Sequence, residues 1–297
     1  MTDADLTPGS DEWLKLVSAS KVAGILGHSP WTSPLASWFE MKGLVPREEV
    51  DLGENSPLTR GQYLEPAILQ WWRDRHELLE YEEQVTARLG DWAICTYDAK
   101  ALTASFEHIA IEAKSTSKWE GWGPKGTDQI PKYYMSQVWW QFLLDPKIER
   151  IYVPVIGPGL EFREYVVERP SSADLNGMME KVYAFYASLS HDTPPPLDGH
   201  VATLKTLSRL HLGIADGEIA TVSDTIAGEY IEAELALKSA EERSRAAKSA
   251  IVAEVGRAHY IESESGIRVA RRQAGRNGGP PYLVRTARKW PATQATV

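Results

Sequence analysis

The segment Ile109-Ala-Ile-Glu-Ala-Lys-Ser115 carries the side chains best suited to chemistry. In an extended chain successive side chains turn to opposite faces. Ile109, Ile111 and Ala113 then enter one apolar layer, while Glu112 and Lys114 share the other face. Their Cα atoms would lie ~7 Å apart, given a rise of roughly 3.3 Å per residue. A carboxylate and an ammonium so placed can address one phosphate group. Asp98 ends another strand-like run, Ala93-Ile-Cys-Thr-Tyr97, and a hairpin would bring it beside Glu112. Two carboxylates from adjacent strands suit hard Mg²⁺, which takes few protein oxygens and keeps several waters. Such a cation would activate water and offset charge on a pentavalent phosphate, with Lys114 orienting that water or stabilising the same charge. The competing reading is an ordinary solvated strand surface, on which a Glu-x-Lys pair is common.

These groups need a scaffold of strands and helices. Ser18 or Ser20 is a candidate N-cap for a helix carrying Val22, Ile25 and Leu26 at helical spacing. A turn-rich His28-Ser-Pro-Trp-Thr-Ser-Pro34 leads to a second helix with Leu35, Trp38, Phe39 and Met41, ended by Gly43. Pro66 suits a first helical position, so a third helix is expected from there to Leu79, with Leu64, Ile68, Trp71 and Trp72 as its buried stripe. Extended segments follow at Gln84–Leu89, Trp92–Tyr97 and Ile109–Lys114. A helix over Pro131–Leu144, strands over Arg150–Ile156 and Glu161–Glu168, and a helix over Ala173–Leu189 complete the pattern. The prolines of His191–Gly199 read as a stiff linker. Beyond them Thr225–Ala258 is expected as a helical hairpin or one long helix, with short strands at Gly266–Ala270 and Tyr282–Val284.

The expected organisation is an α/β core at 1–192, with a central mixed β-sheet flanked by helices. A Pro-rich connector at 193–222 and a helical extension with short strands and a basic tail at 223–297 follow it.

Composition narrows the function classes. A share of 43% hydrophobic and 25% charged residues is ordinary for a globular protein, and the longest apolar runs are too short to span a bilayer. Residues Met1–Ser10 are polar and acidic, so no secretory leader is expected and an intracellular, cytoplasmic setting is expected, which would be a bacterial host's if the chain is phage-encoded. The single cysteine, Cys95, excludes an internal disulfide and any cysteine-built zinc or iron–sulfur site within one chain. A formal charge of −9 argues against a protein that coats nucleic acid, which needs Lys and Arg. From Gly266 onward, however, seven residues are basic and none is acidic, whereas the preceding chain carries 41 acidic against 25 basic side chains. That tail suits a local phosphate-binding surface and suits a solvated end equally well.

Asp98 followed by Glu112-Ala-Lys114 resembles the PD-(D/E)XK nuclease signature. Flanking segments resemble the YqaJ-type viral recombinases, similar to lambda exonuclease: Ser18–Gly27 with Ser29–Pro34, Arg60-Gly-Gln-Tyr-Leu-Glu-Pro66, Pro131-Lys-Tyr-Tyr-Met-Ser-Gln137, and Pro195-Pro-Leu-Asp-Gly199 with the helical segment after it. Each match is short, but together they follow the family's order over residues 11 to about 260.

The resemblance implies a PD-(D/E)XK core and roles for particular residues. Asp98 and Glu112 would be metal ligands and Lys114 the catalytic lysine. Glu65 would support the metal site, with helix-start stabilisation as its plainer reading. Gln137 would face the site, although Tyr133, Gln137 and Gln141 also share one face of an amphipathic helix. Ser20 would lie near a terminal phosphate, or simply cap its helix. The family places glycine after its aspartate, and Ala99 stands there in this chain. Trp119 and Trp122 could stack on DNA or pack in the core.

The implied activity is a Mg²⁺-dependent exonuclease, with Mn²⁺ as a substitute, acting 5′→3′ on double-stranded DNA ends to leave single strands for phage-type recombination. A single-strand annealing protein and a homotrimer are its implied partners, with no membrane. Two other readings stand beside it. One is a restriction- or repair-type endonuclease on the same core. The other is a non-catalytic DNA-end or protein scaffold, for which Lys114→Ala would be silent.

Overall fold

The computed structural model describes residues 10–45, 53, 56–210 and 212–286. The tail residues Arg288 and Lys289 lie outside this range. The chain divides into two compact units, residues 1–214 and 215–297.

The first unit runs α1 (Asp11–Lys15), β1 (Val17–Ser18), α2 (Ala19–Ile25), α3 (Pro34–Met41), α4 (Pro57–Arg73), β2 (Leu78–Leu89), β3 (Ala93–Thr103), β4 (His108–Ile111), β5 (Lys114–Ser115), α5 (Lys132–Leu144), β6 (Arg150–Ile156), β7 (Phe162–Glu168), α6 (Ser172–Ser188) and α7 (Val201–Leu210). Local chemistry places several starts. Ser33 accepts from the Ala36 amide, with Pro34 in the first turn of α3, and Ser56 and Pro57 repeat the arrangement for α4. In each case the serine satisfies an otherwise unpaired helix N–H and the proline has none to lose.

The helix containing Pro66 therefore starts nine residues earlier than the sequence suggests. Pro66 sits inside α4, where it deprives the Gln62 carbonyl of its usual donor. Gln62, Tyr63 and Pro66 are exposed, so solvent can serve that carbonyl and the helix continues.

Seven strands form one mixed sheet. β2 pairs antiparallel along the length of β3, and β1 and β4 share the other edge of β3. β4 and β5 both pair parallel with β6, which pairs antiparallel with β7. The expected single strand at Ile109–Lys114 is thus split into β4 and β5, in one continuous register against β6.

Both faces of the sheet are covered. On one, Ala110, Ile151, Val153 and Val155 meet Val138, Trp140 and Phe142 of α5 and Met178 and Val182 of α6. On the other, Ile109, Ile111 and Ala113 meet Ile68, Leu69 and Trp72 of α4. The expected alternation along this segment holds, and burial of these side chains contributes about 1.5–3 kcal/mol for each large aliphatic one.

The long β2–β3 ribbon changes face midway. Cys95 and Tyr97 pack with the α5 layer, whereas Ala99 and Ala101 pack with the α4 layer. The crossover falls at Asp98, in register with Gln84, whose φ of 56° is unusual for a side chain other than glycine.

In the second unit, α8 (Asp224–Val255) is one long helix rather than a hairpin, capped by Ser223 and ended by Gly256 at φ 52°. β8 (Tyr260–Glu262), β9 (Arg268–Gln273) and β10 (Tyr282–Arg285) form a separate antiparallel sheet with Ile261 and Ala270 buried. Among the described residues no helix is long and apolar enough to cross a membrane.

Candidate functional site

The last paired residues of the β3–β4 hairpin are Ala99 and Ile111. One step further the register sets Asp98 against Glu112, where the ladder stops. The Glu112 amide goes instead to the Tyr152 carbonyl at 2.9 Å. The next amide, Ala113, donates to Asp98 Oδ2 at 2.7 Å. A side-chain carboxylate thus takes the place of a strand partner at the break between β4 and β5, which fixes Asp98 beside the Glu112 backbone.

Glu112 is only 2% exposed, a costly position for a carboxylate unless its oxygens are satisfied. Lys114 Nζ and Gln137 Nε2 both donate to its Oε1. Gln141 Nε2 donates to Oε2 at 2.5 Å. Gln137 and Gln141 are one helical turn apart on α5, so both amides reach the sheet from one face of that helix. The Tyr97 hydroxyl, next to Asp98 in the chain, donates to the Gln141 carbonyl at 2.7 Å and ties α5 to β3. Lys114 also lies over the Tyr134 ring, 5.3 Å from its centre.

The electrostatics follow from this crowding. Burial raises the Asp98 carboxyl well above its ordinary range, and the Glu112 charge raises it further, against an opposing pull from Lys114. For Lys114 burial works to lower the pKa, but the carboxylates of Glu112 and Asp98 outweigh it and hold the ammonium above its usual value. Glu65, on α4, is raised by burial in the first place; Lys114 opposes that shift and Glu112 adds to it. Its Oε1 accepts from Gln84 Nε2 at 2.8 Å. Glu65 therefore shares the electrostatic field of the site although its hydrogen bond runs to β2.

Among the described residues no group of three His, Cys, Asp or Glu side chains forms a metal cage. The donor set nonetheless fits a hard divalent cation of the Mg²⁺ kind, which needs one or two carboxylates and takes its other oxygens from water and phosphate. Crowded acids whose protons are held too tightly are relieved when a cation takes the proton's place.

The other expected residues make their contacts with different partners, Trp122 reaching the site through the Tyr134 ring. Ser20 is exposed at the start of α2, with its hydroxyl 3.1 Å from that of Ser18. Ser18 occupies the cap position of α2 without a side-chain cap bond. Trp122 is buried between the rings of Tyr134 and Tyr165. Trp119 is half-buried, with Arg163 3.9 Å above its ring and its indole N–H on Glu161 at 3.1 Å. Gln141 joins the site only in the folded protein. In the sequence its one signal is its spacing of four from Gln137, which an ordinary amphipathic helix also produces.

Residues 12–144, which contain all these site groups except Tyr152, Glu161, Arg163 and Tyr165, match the YqaJ-like viral recombinase domain. No curated protein matches the chain. An alkaline exonuclease from Laribacter hongkongensis, solved by crystallography, is 18% identical with a TM-score of 0.47, over 60% of this chain and 90% of that one. A phage-related exonuclease from Haemophilus somnus 129PT is 11% identical with a TM-score of 0.43, over 66% of this chain and 96% of its own.

Proposed function

The chain carries a YqaJ-like viral recombinase domain over residues 12–144, and from that premise we propose that it is a divalent-metal-dependent exonuclease. In this reading it degrades one strand of linear duplex DNA, 5′→3′, and leaves a single strand for recombination. The observation that supports this most directly is the buried Glu112 carboxylate, shared by Lys114 and Gln137 beside Asp98. A fold does not keep a carboxylate and an ammonium at that depth for stability alone, since apolar side chains of similar volume stabilise as well or better.

A cation held by Asp98 and Glu112 would supply Lewis acidity toward the scissile phosphate and a more acidic water. Lys114, beside Glu112 and Asp98, would offer its positive charge to the phosphate or orient the attacking water. Gln137 holds the Glu112 oxygen that Lys114 also contacts, which limits the rotamers open to both. Glu65 adds negative charge from the α4 side, oriented by Gln84. Ser20 and the half-buried Trp119 remain candidates for DNA contact, while the ring packing of Trp122 favours a core role. A single-strand annealing protein as partner, a ring of subunits and a bacterial cytoplasmic setting belong to the same proposal.

The test uses linear duplex DNA labelled at the 5′ or the 3′ end, with Mg²⁺, with EDTA and with Lys114→Ala, beside a covalently closed circle. Mg²⁺-dependent release of the 5′ label is expected, and it should be absent in the variant and on the circle. Cutting of the circle would favour an endonuclease. No degradation by folded wild-type protein with any divalent metal would overturn the nuclease reading.

A further inference from the structure

Trp31 is 69% exposed, yet the loop that carries it is held on every side. The Ser29 hydroxyl accepts from the Trp31 and Thr32 amides at 3.1 and 3.2 Å. His28 Nδ1 is 2.8 Å from the Ser136 hydroxyl of α5. At the other end Ser33 caps α3 and receives the Thr203 hydroxyl of α7 at 2.7 Å. Thr32 rests against Gly24, where a Cβ would come within 2.6 Å of its methyl group. The backbone beneath the indole is thus fixed and the ring itself is braced by Tyr133, which lowers the ordering cost when a flat ligand covers it.

Its surroundings select the ligand. Trp31 meets Tyr133 edge to face at 4.8 Å, and Tyr133 lies 4.3 Å from Tyr134, whose ring underlies Lys114. Three aromatic rings therefore lead from the surface to the ammonium of the site, along the helix that supplies Gln137. On the other side, Trp31 lines a cavity of about 380 Å³ with His200 and Lys205, near α7. A flat ring beside two basic side chains, Lys205 and Arg209, with one acid, Glu40, between the same walls, matches a nucleotide, whose base stacks while its phosphate seeks positive charge.

We propose that Trp31 is a stacking platform for an unpaired base of the DNA strand engaged at the Glu112–Lys114 site, with Lys205 of the adjoining cavity taking the neighbouring phosphate. This rests on the nuclease reading for the identity of the strand, but the stacking can be read without catalysis.

The experiment uses a duplex with a short single-stranded end carrying 2-aminopurine, whose fluorescence is quenched on stacking. Binding is followed in Ca²⁺ for wild type, Trp31→Ala and Trp31→Phe. Kinetics on linear duplex DNA in Mg²⁺ and thermal midpoints are recorded alongside. Wild type and Trp31→Phe should quench the probe, and Trp31→Ala should lose the quenching while keeping its melting temperature. The loss should fall on KM, which should rise about five- to a hundredfold for one lost base stack. Equal quenching and equal KM in Trp31→Ala would overturn the inference and leave the nuclease reading intact. Quenching that depends on Trp31 in a protein that cuts nothing would do the reverse. A wild-type protein that neither quenches nor cuts overturns both.

Discussion

Gln141 gives its amide to the one Glu112 oxygen that neither Lys114 nor Gln137 reaches. The carboxylate fixes which way that amide faces, because its oxygen turned toward Glu112 would be repelled. The consequence is a fully buried Gln141 Oε1 with no hydrogen-bond partner. Gln141→Leu removes a donor to a charged group, worth about 1.5–3 kcal/mol, together with an unsatisfied oxygen that costs about 1–3 kcal/mol. The stability change should accordingly be small. Its effect should appear in metal affinity, lowered about 10–100-fold as for other residues that orient a ligand. Calorimetric titration with Mn²⁺ reads this, and unchanged affinity would show that Gln141 only packs.

Asp98 and Glu65 both hold their protons more tightly in the folded protein than an ordinary carboxyl does. The folded state then binds more protons than the unfolded chain over the interval between the ordinary and the raised values. Stability of the metal-free protein must fall as pH rises through that interval. On the proposed function Mg²⁺ would bind the ionised form, and its addition should reverse the fall. Urea midpoints across pH, for wild type against Asp98→Asn with and without Mg²⁺, isolate the Asp98 contribution. Without metal Asp98→Asn should be the more stable protein at neutral pH, and a less stable one would refute the sign.

Lys114→Ala leaves the buried Glu112 and its neighbour Asp98 without their cation. Breaking a buried pair from one side costs about 3–5 kcal/mol, although the two glutamine amides retained by Glu112 should keep the loss at the lower end. Adding Glu112→Gln to that variant should restore part of the stability. Chemical denaturation of the single and double variants gives both numbers, and a double variant weaker than the single would contradict the pairing.

Gly157 faces the Trp119 ring so closely that a Cβ would lie 2.0 Å from it. Gly157→Ala must push the indole away from Arg163 and Glu161. Overpacking of this kind costs about 1–3 kcal/mol, which should lower the melting temperature by several degrees. A shift in tryptophan fluorescence should accompany it.

Much of the architecture was legible because local periodicity dictates it. The strand over Arg150–Ile156 and the helix ending at Leu144 follow from runs of apolar residues bounded by Pro131, Asp145 and Gly157. The alternation of Ile109 and Ile111 with Ala110 places two apolar layers, and it puts Glu112 with the layer that contains α5. The start of α4 is not legible, because Pro66 is as acceptable to a first turn as it is tolerable at an exposed interior position. Which applies depends on whether solvent can reach the Gln62 carbonyl, a fact of the folded surface.

By itself the sequence determined that Glu112 and Lys114 share a face, that Asp98 can meet them through a hairpin, and that a single cysteine excludes cysteine-built clusters. Each of these is a consequence of residue type and strand period. Only the tertiary structure decided that the strand breaks at Ala113 to give its amide to Asp98, that Gln141 joins Gln137 on one carboxylate, and that Trp31 is bare while Trp122 is buried. Those outcomes depend on which elements pack together across dozens of residues, and on where desolvation makes an unpaired polar atom too costly. Neither is encoded in the spacing of neighbours along the chain.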